Sequence, residues 1–191
     1  MIDEMAKDVF RIFGNSNVYV ILKPEVIVID TSDRVDSEYI KSEVVKIVPL
    51  EDVKKVLLTH LHYDHCGNVD LFFNAEVFVS KVELDNFKKS PDDFFVHDIS
   101  SKTREMILGA KELGEEICGM KVISVPGHTR GSVAFLDEKR KILFSGDTLF
   151  SNGIGRTDFG NSIPEKMNAS VEKLKNLVED KDLILCPGHD Y

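Results

Sequence analysis

The stretch Thr59-His60-Leu61-His62-Tyr63-Asp64-His65-Cys66-Gly67 constrains this chain more than any other. Three imidazoles and one carboxylate fall within the six residues from His60 to His65. The apolar Val56-Leu57-Leu58 before them reads as the end of a buried strand, and Gly67-Asn68 after them as a turn into a short helix. A polar loop leaving a strand end is where folds usually carry chemistry. Neutral imidazole is a borderline-soft donor for zinc, iron and similar ions, and Asp adds a hard, charged oxygen. On an extended loop His60 and His62 point the same way and can chelate one ion. Asp64 and His65, from the turn that follows, can reach a second.

The rest of the histidine set fits a shared centre better than a His-rich surface loop. Of the six histidines, two more stand in Gly-flanked settings, Pro126-Gly127-His128-Thr129 and Pro187-Gly188-His189-Asp190. The sixth, His97, lacks that setting and is expected in a lid, surface or packing role. Lys121 to Val125 reads as a strand ending at Gly127-His128, where Gly permits a sharp turn. Ser132 to Leu136 and Ile142 to Ser145 read as a hairpin that delivers Gly146-Asp147. Leu183 to Cys186 is a further strand, ending at Gly188-His189. A strand, then Gly, then a donor residue thus recurs along the chain.

Short strands over residues 9–13, 17–22 and 25–29 predict an opening meander. Asp30 closes the third and precedes the turn and cap cluster Thr31-Ser32-Asp33, so a turn or N-cap role is open to it. Apolar spacing predicts helices over 36–48, 68–73, 81–88, 101–113 and 162–178, with strands over 54–59 and 76–79. Residues 90–98 read as a loop. Periodicity alone gives a mixed α and β chain in one domain.

At 191 residues one domain over 1–191 is expected. A net charge of -9 and a pI near 5.2 argue against broad binding to nucleic acid or anionic membranes. Three scattered cysteines, Cys66, Cys118 and Cys186, form no CxxC pair, so a reducing cytoplasm is the expected setting. No signal-peptide pattern and no membrane-length apolar run is visible.

His60-x-His62-x-Asp64-His65, then His128, then Asp147 in Ser145-Gly146-Asp147-Thr148-Leu149-Phe150, then His189, resembles the metallo-β-lactamase superfamily. The likeness covers nearly the whole chain in ligand order and spacing. Ser145 to Phe150 and Gly155-Arg156-Thr157-Asp158-Phe159 look most like glyoxalase II-like hydrolases and the related persulfide dioxygenases. The resemblance implies an α+β fold, the four-layer αββα sandwich. It implies two divalent metal ions, with zinc expected first and iron or manganese also suited to the donors. His60, His62 and His128 would hold one ion, Asp64, His65 and His189 the second, and Asp147 would bridge them. Asp64 and Asp147 would serve catalysis. Asp30 would sit beneath the metal loop and help hold it.

The same resemblance implies a small thioester or related ester as substrate, attacked by a metal-held hydroxide. Arg156 and Tyr191 occupy places where glyoxalase II contacts glutathione. Asp158, two residues beyond Arg156, offers it an ion pair instead, and stands where the family often has a tyrosine. Glyoxalase II also continues into a C-terminal helical domain beyond its last histidine, and this sequence ends at Tyr191, so a more open pocket is expected. The alternative reading is an iron persulfide dioxygenase holding one metal through His60, His128 and Asp147. A metal-binding module without catalysis is the third, and the intact ligand set argues against it.

Overall fold

The opening residues alternate between two apolar environments, and that alternation builds the first sheet. The structure is a computed structural model and describes residues 1–94 and 99–190. β1 (Ile2–Ala6), β2 (Val9–Ile12), β3 (Val18–Ile21) and β4 (Ile27–Ile29) form an antiparallel meander. β5 (Lys55–Leu57), β6 (Glu76–Val79) and β7 (Lys111–Glu112) extend it in parallel, in the order β1-β2-β3-β4-β5-β6-β7. The second sheet has the order β12-β11-β10-β9-β8. Its strands are β8 (Glu116–Ile117), β9 (Met120–Ser124), β10 (Val133–Asp137), β11 (Ile142–Gly146) and β12 (Ile184–Pro187).

Side-chain alternation then stacks the layers. In β3, Val18 and Val20 face one core, whose other wall is helical: α1 (Ser37–Val44), α3 (Lys81–Lys89) and α4 (Ser101–Leu108). Tyr19 and Ile21 face the opposite way and meet Val133, Phe135, Ile142 and Phe144 of the second sheet. Ala134, Leu136 and Leu143 point outward from that sheet onto Met167, Val171 and Leu174 of α5 (Pro164–Lys181). The order helices, sheet, sheet, helix is the four-layer α+β sandwich that the resemblance implied. Among the described residues no helix is long and apolar enough to cross a membrane. Cys66, Cys118 and Cys186 are free thiols.

Several element boundaries differ from expectation, each for a local reason. α1 stops at Val44 rather than running to residue 48: residues 45–47 tighten into turns, with Lys46 N bonded to the Glu43 carbonyl and Ile47 N to that of Val44, and Pro49 disfavours helical backbone at Val48. α4 ends at Leu108 against Gly109, and Lys111–Glu112 then pairs with β6. Residues 68–73 hold only a 3-10 turn, Val69–Leu71. The helix lies earlier, at α2 (Tyr63–Cys66), inside the histidine cluster itself. β1 and β8 were not foreseen. β1 is a half-exposed edge strand with a polar centre, and β8 has two residues, so neither carries a readable period. His97 and Tyr191 lie outside the described residues.

β9, β11 and β12 run in one direction, because β10 is antiparallel to both β9 and β11 and β12 is parallel to β11. Their carboxyl ends, with those of β4 and β5, supply the chain segments of the site below. Thr59 ties the two sheets there, its carbonyl accepting from Val133 N at 2.9 Å.

Candidate metal centre

Each expected donor sits just past the carboxyl end of a strand or on α2. His60 and His62 follow β5 on extended backbone. Asp64 and His65 lie on α2, whose single turn swings them to the same side. His128 follows β9, Asp147 follows β11 and His189 follows β12. The glycines before His128 and His189 answer to crowding. A Cβ at Gly127 would stand 2.7 Å from Met167 Cα of α5, and one at Gly188 would stand 2.1 Å from Asp147 Oδ1. The His189 segment is pinned to the first sheet: Tyr19 Oη and Asn17 Nδ2 donate to the Pro187 carbonyl at 2.8 and 3.1 Å. Arg11 Nη1 donates to Asp190 Oδ1 at 2.8 Å.

The seven side chains converge. His62 Nδ1 lies 2.8 Å from His128 Nε2, which is 3.2 Å from His60 Nε2. His189 Nε2 lies 3.2 Å from Asp64 Oδ2. Asp147 faces both groups: Oδ1 is 3.1 Å from His65 Nε2, and Oδ2 is 3.5 Å from His128 Nε2 and 3.4 Å from His189 Nε2. Donor atoms within 4.8 Å of one another form three sets: His60, His62, His128; His60, His65, Asp147; and Asp64, His65, His189.

Partners on the far side of four rings assign their tautomers. His65 Nδ1 donates to Asp30 Oδ2 at 2.8 Å, and His128 Nδ1 to the Arg156 carbonyl at 2.6 Å. His62 Nε2 donates to Asn161 Oδ1 at 3.3 Å. Thr59 Oγ1 donates to Asp30 Oδ2 at 2.7 Å and so accepts from His60 Nδ1 at 3.1 Å. His60, His62 and His128 therefore each turn a bare nitrogen toward the others, and His65 turns Nε2 toward Asp147. Asp30, expected to steady the metal loop, receives Thr59 N, Thr59 Oγ1 and His65 Nδ1. The N-cap of the turn that follows is Asp33, not Asp30.

Electrostatics divide the rings. Burial, then the neighbouring imidazoles, push His60 far below the usual histidine range, and burial and His128 push His62 down to about 3. Burial also lowers His128. These three rings are neutral, with lone pairs aimed at one another. At His189 burial opposes the proton, but Asp147 and Asp64 raise it to about 9. His65 is likewise raised, against burial, by Asp147, Asp30 and Asp64. Asp147 is held well below the usual carboxylate range, against burial, by His65 and His189.

This donor set fits metal ions. Three neutral nitrogens within hydrogen-bond distance cannot satisfy one another once their protons point outward, whereas a cation between them would satisfy all three. His65 Nε2 and Asp147 Oδ1 are buried without a hydrogen bond although 3.1 Å apart. Buried polar atoms left so are rare and call for an explanation.

Two further residues of the site escaped the sequence reading. Glu83, on the first turn of α3, is fully buried. Its Oε1 accepts from Leu61 N at 3.0 Å, and its Oε2 from Thr129 Oγ1 at 2.9 Å and Gly131 N at 3.0 Å. It thereby ties the His60–His62 loop to the His128 loop. Burial pushes its carboxyl up to about 7, against those three donors. Asn161 orients His62, and its backbone carbonyl accepts from Arg130 N at 3.0 Å. Only an acid in an otherwise apolar helix face hinted at Glu83, and nothing local marked Asn161.

The donors open onto a cavity of about 700 Å³. Tyr63, Phe94, Phe150, Ile154 and Phe159 line it beside the donors. Arg156 also lines it and makes the ion pair with Asp158, Nε to Oδ1 at 3.0 Å and Nη2 to Oδ2 at 2.7 Å. Tyr191, the other expected substrate residue, lies outside the described residues.

A two-sheet sandwich with this donor set at its strand ends is the scaffold of a metal-dependent enzyme, and the relatives it matches are named hydrolases. The chain belongs to the metallo-beta-lactamase superfamily, whose family model matches residues 11–189. It is 26% identical over 183 residues to a probable metallo-hydrolase of Methanocaldococcus jannaschii, covering 92% of this chain and 87% of that one. It is 33% identical over 153 residues to the hydroxyacylglutathione hydrolase GloC of Haemophilus influenzae, covering 72% and 69%. A crystal structure of TTHA1623 in a di-iron-bound form matches with a TM-score of 0.71 at 26% identity, covering 92% and 88%.

Proposed function

We propose that this chain is a dinuclear metal-dependent acyl hydrolase that cleaves thioesters or related esters, in the manner of glyoxalase II. The observation that carries this reading is Asp147, whose two carboxylate oxygens face His65 on one side and His128 and His189 on the other. His60, His62 and His128 would hold one ion, Asp64, His65 and His189 the second, and Asp147 both. Bound there, divalent ions supply a hydroxide nucleophile at neutral pH and polarise an acyl carbonyl. Zinc suits the donors best, and iron or manganese can occupy the same set.

The protein's own groups do the rest. Asp64 faces the cavity with its side chain 14% exposed, and, against burial, His65 and His189 hold its carboxyl below the usual range, so it stays an ionised donor. Phe94, Phe150 and Phe159 give the cavity apolar walls beside the donors. Arg156 borders the path of the departing arm. A thiol leaves readily because its pKa is near 8.5, so no strong protein acid is needed. The hydroxyacylglutathione hydrolase relative supports a thioester over other acyl bonds.

The test is product release from S-lactoylglutathione, simple acyl thioesters and simple esters by the purified protein. Release that stops with a chelator and returns with zinc supports the reading. Absence of hydrolysis across the thioesters and esters with metal restored would remove it.

A further inference from the structure

Resting on that acyl-hydrolase reading, we propose that Asn15 is a specificity-determining residue for the acyl group, and that its side-chain amide favours acyl chains with a hydroxyl or oxo group next to the carbonyl over plain alkyl chains. Asn15 lines the cavity together with Asp64 and His189. It stands on the connection between β2 and β3, residues 13–17. Its side chain is exposed and makes no hydrogen bond among the described residues; only its backbone nitrogen does.

The backbone under that amide is fixed residue by residue. Gly14 packs so closely that a Cβ there would collide with Ser32 Oγ. Asn15 N donates to Asp36 Oδ2 at 2.6 Å and to Ser32 Oγ at 3.0 Å. Ser16 Oγ donates to the Asp64 carbonyl at 2.6 Å, and Asn17 N to the Gly188 carbonyl at 2.7 Å. The loop is thus tied to Asp64 itself and to the residue before His189. Ser16 and Asn17 are buried and use their side chains in such ties. Asn15 uses its side chain in none. An unpaired amide on a backbone already fixed loses little further freedom when a ligand takes it.

Its place decides which part of the substrate it meets. The Phe159 ring lies 4.7 Å from the His62 ring and 5.7 Å from the His128 ring, so the Arg156 to Phe159 wall flanks the His60, His62 and His128 set. The Asn15 loop is tied to the segments of the other set, at Asp64 and Gly188. A thioester seated at the donors with its sulfur toward the Phe159 wall therefore turns its acyl chain toward Asn15. The side-chain amide offers one acceptor and two donors, which match a hydroxyl or an oxo group, and it is neutral, so it reads a dipole rather than a charge. One such bond between neutral groups is worth about two- to tenfold in binding.

The experiment compares S-lactoyl- with S-propionyl-N-acetylcysteamine, which share a thiol and differ only in the 2-hydroxyl of the acyl chain. The metal-loaded protein is used with its Asn15→Ala and Asn15→Leu variants, the second keeping the bulk and losing the amide. The ratio of kcat/KM, lactoyl over propionyl ester, is expected to fall about three- to tenfold in both variants. A disturbed loop would slow both esters and leave the ratio in place. A fall of less than threefold in either variant would overturn the proposal, whatever happens to the separate rates. If neither thioester is cleaved, the hydrolase reading falls. The two intact thioesters then serve as ligands, and the ratio of their Kd values in wild type and Asn15→Ala decides the acyl preference by the same threefold criterion.

Discussion

Asp30 Oδ2 lies 2.8 Å from His65 Nδ1, and both groups are buried. Asp30 also accepts from Thr59 N and Thr59 Oγ1, and Thr59 in turn contacts His60 Nδ1. One carboxylate thus orients a ring from each of the two proposed ligand sets.

Asp30→Asn tests that arrangement with little backbone cost. Asp30 has a positive φ of 55°, a conformation that Asn tolerates well. The amide offers one acceptor oxygen where the carboxylate offered two. Metal affinity is expected to fall by about 10–100-fold, the usual effect of losing such a partner. Chelator competition on the folded variant reads this, and an unchanged affinity would rule out the orienting role.

Asp147→Ala should cost activity by more than that outer-partner range, because the proposed bridge itself is lost. Circular dichroism should stay native-like, since Asp147 belongs to none of the three apolar cores. Retention of most activity would refute the bridging assignment.

Glu83→Gln addresses the tie between the two histidine loops. An amide nitrogen would face one of the three donors that the carboxylate accepts. Binding at the His60, His62 and His128 set should weaken, with the Asp64 set less affected. Stability carries a second signature. The folded pKa of Glu83, about 7, lies above the unfolded value of 4.5, so the folded chain holds the extra proton between them. Wild-type stability relative to Glu83→Gln should therefore fall as pH rises from about 4.5 to about 7, by on the order of 3 kcal/mol. Denaturant titrations of metal-free protein at several pH values measure it. A difference that stays flat across that window would show that Glu83 does not titrate there.

Metal removal should lower Tm without unfolding the chain. The cores between the layers are built from apolar side chains and need no ion. Rebinding at a thousandfold excess over Kd should restore about 4 kcal/mol. Calorimetry on chelated and reloaded protein reads this. Loss of the cooperative transition on chelation would mean that metal holds the fold itself.

Much of the site was legible because its parts are local. Each of His128, Asp147 and His189 follows a strand and a glycine, and His60 to His65 lie within one short stretch. The inward face of α5, with Met167, Val171 and Leu174, was readable from its period. Asp30 carried two readings until its partners were in view, and Arg156 likewise until Asp158 was seen to engage it. Glu83 was not legible, since its partners lie 22, 46 and 48 residues away. Asn161, 99 residues from His62, is the same case. The pairing of the sheets depended on the family pattern, because periodicity marks buried faces but not which faces meet.

The central claim is a two-metal hydrolytic centre, and the most direct test counts metal ions per chain. Metal-free protein is titrated with zinc, and separately with ferrous iron, under native mass spectrometry, while thioester cleavage and oxygen uptake on glutathione persulfide are followed in the same samples. Two ions per chain, with activity appearing as both sites fill, is the expected result. Full occupancy by one iron, with oxygen uptake on glutathione persulfide and no thioester cleavage, would contradict it.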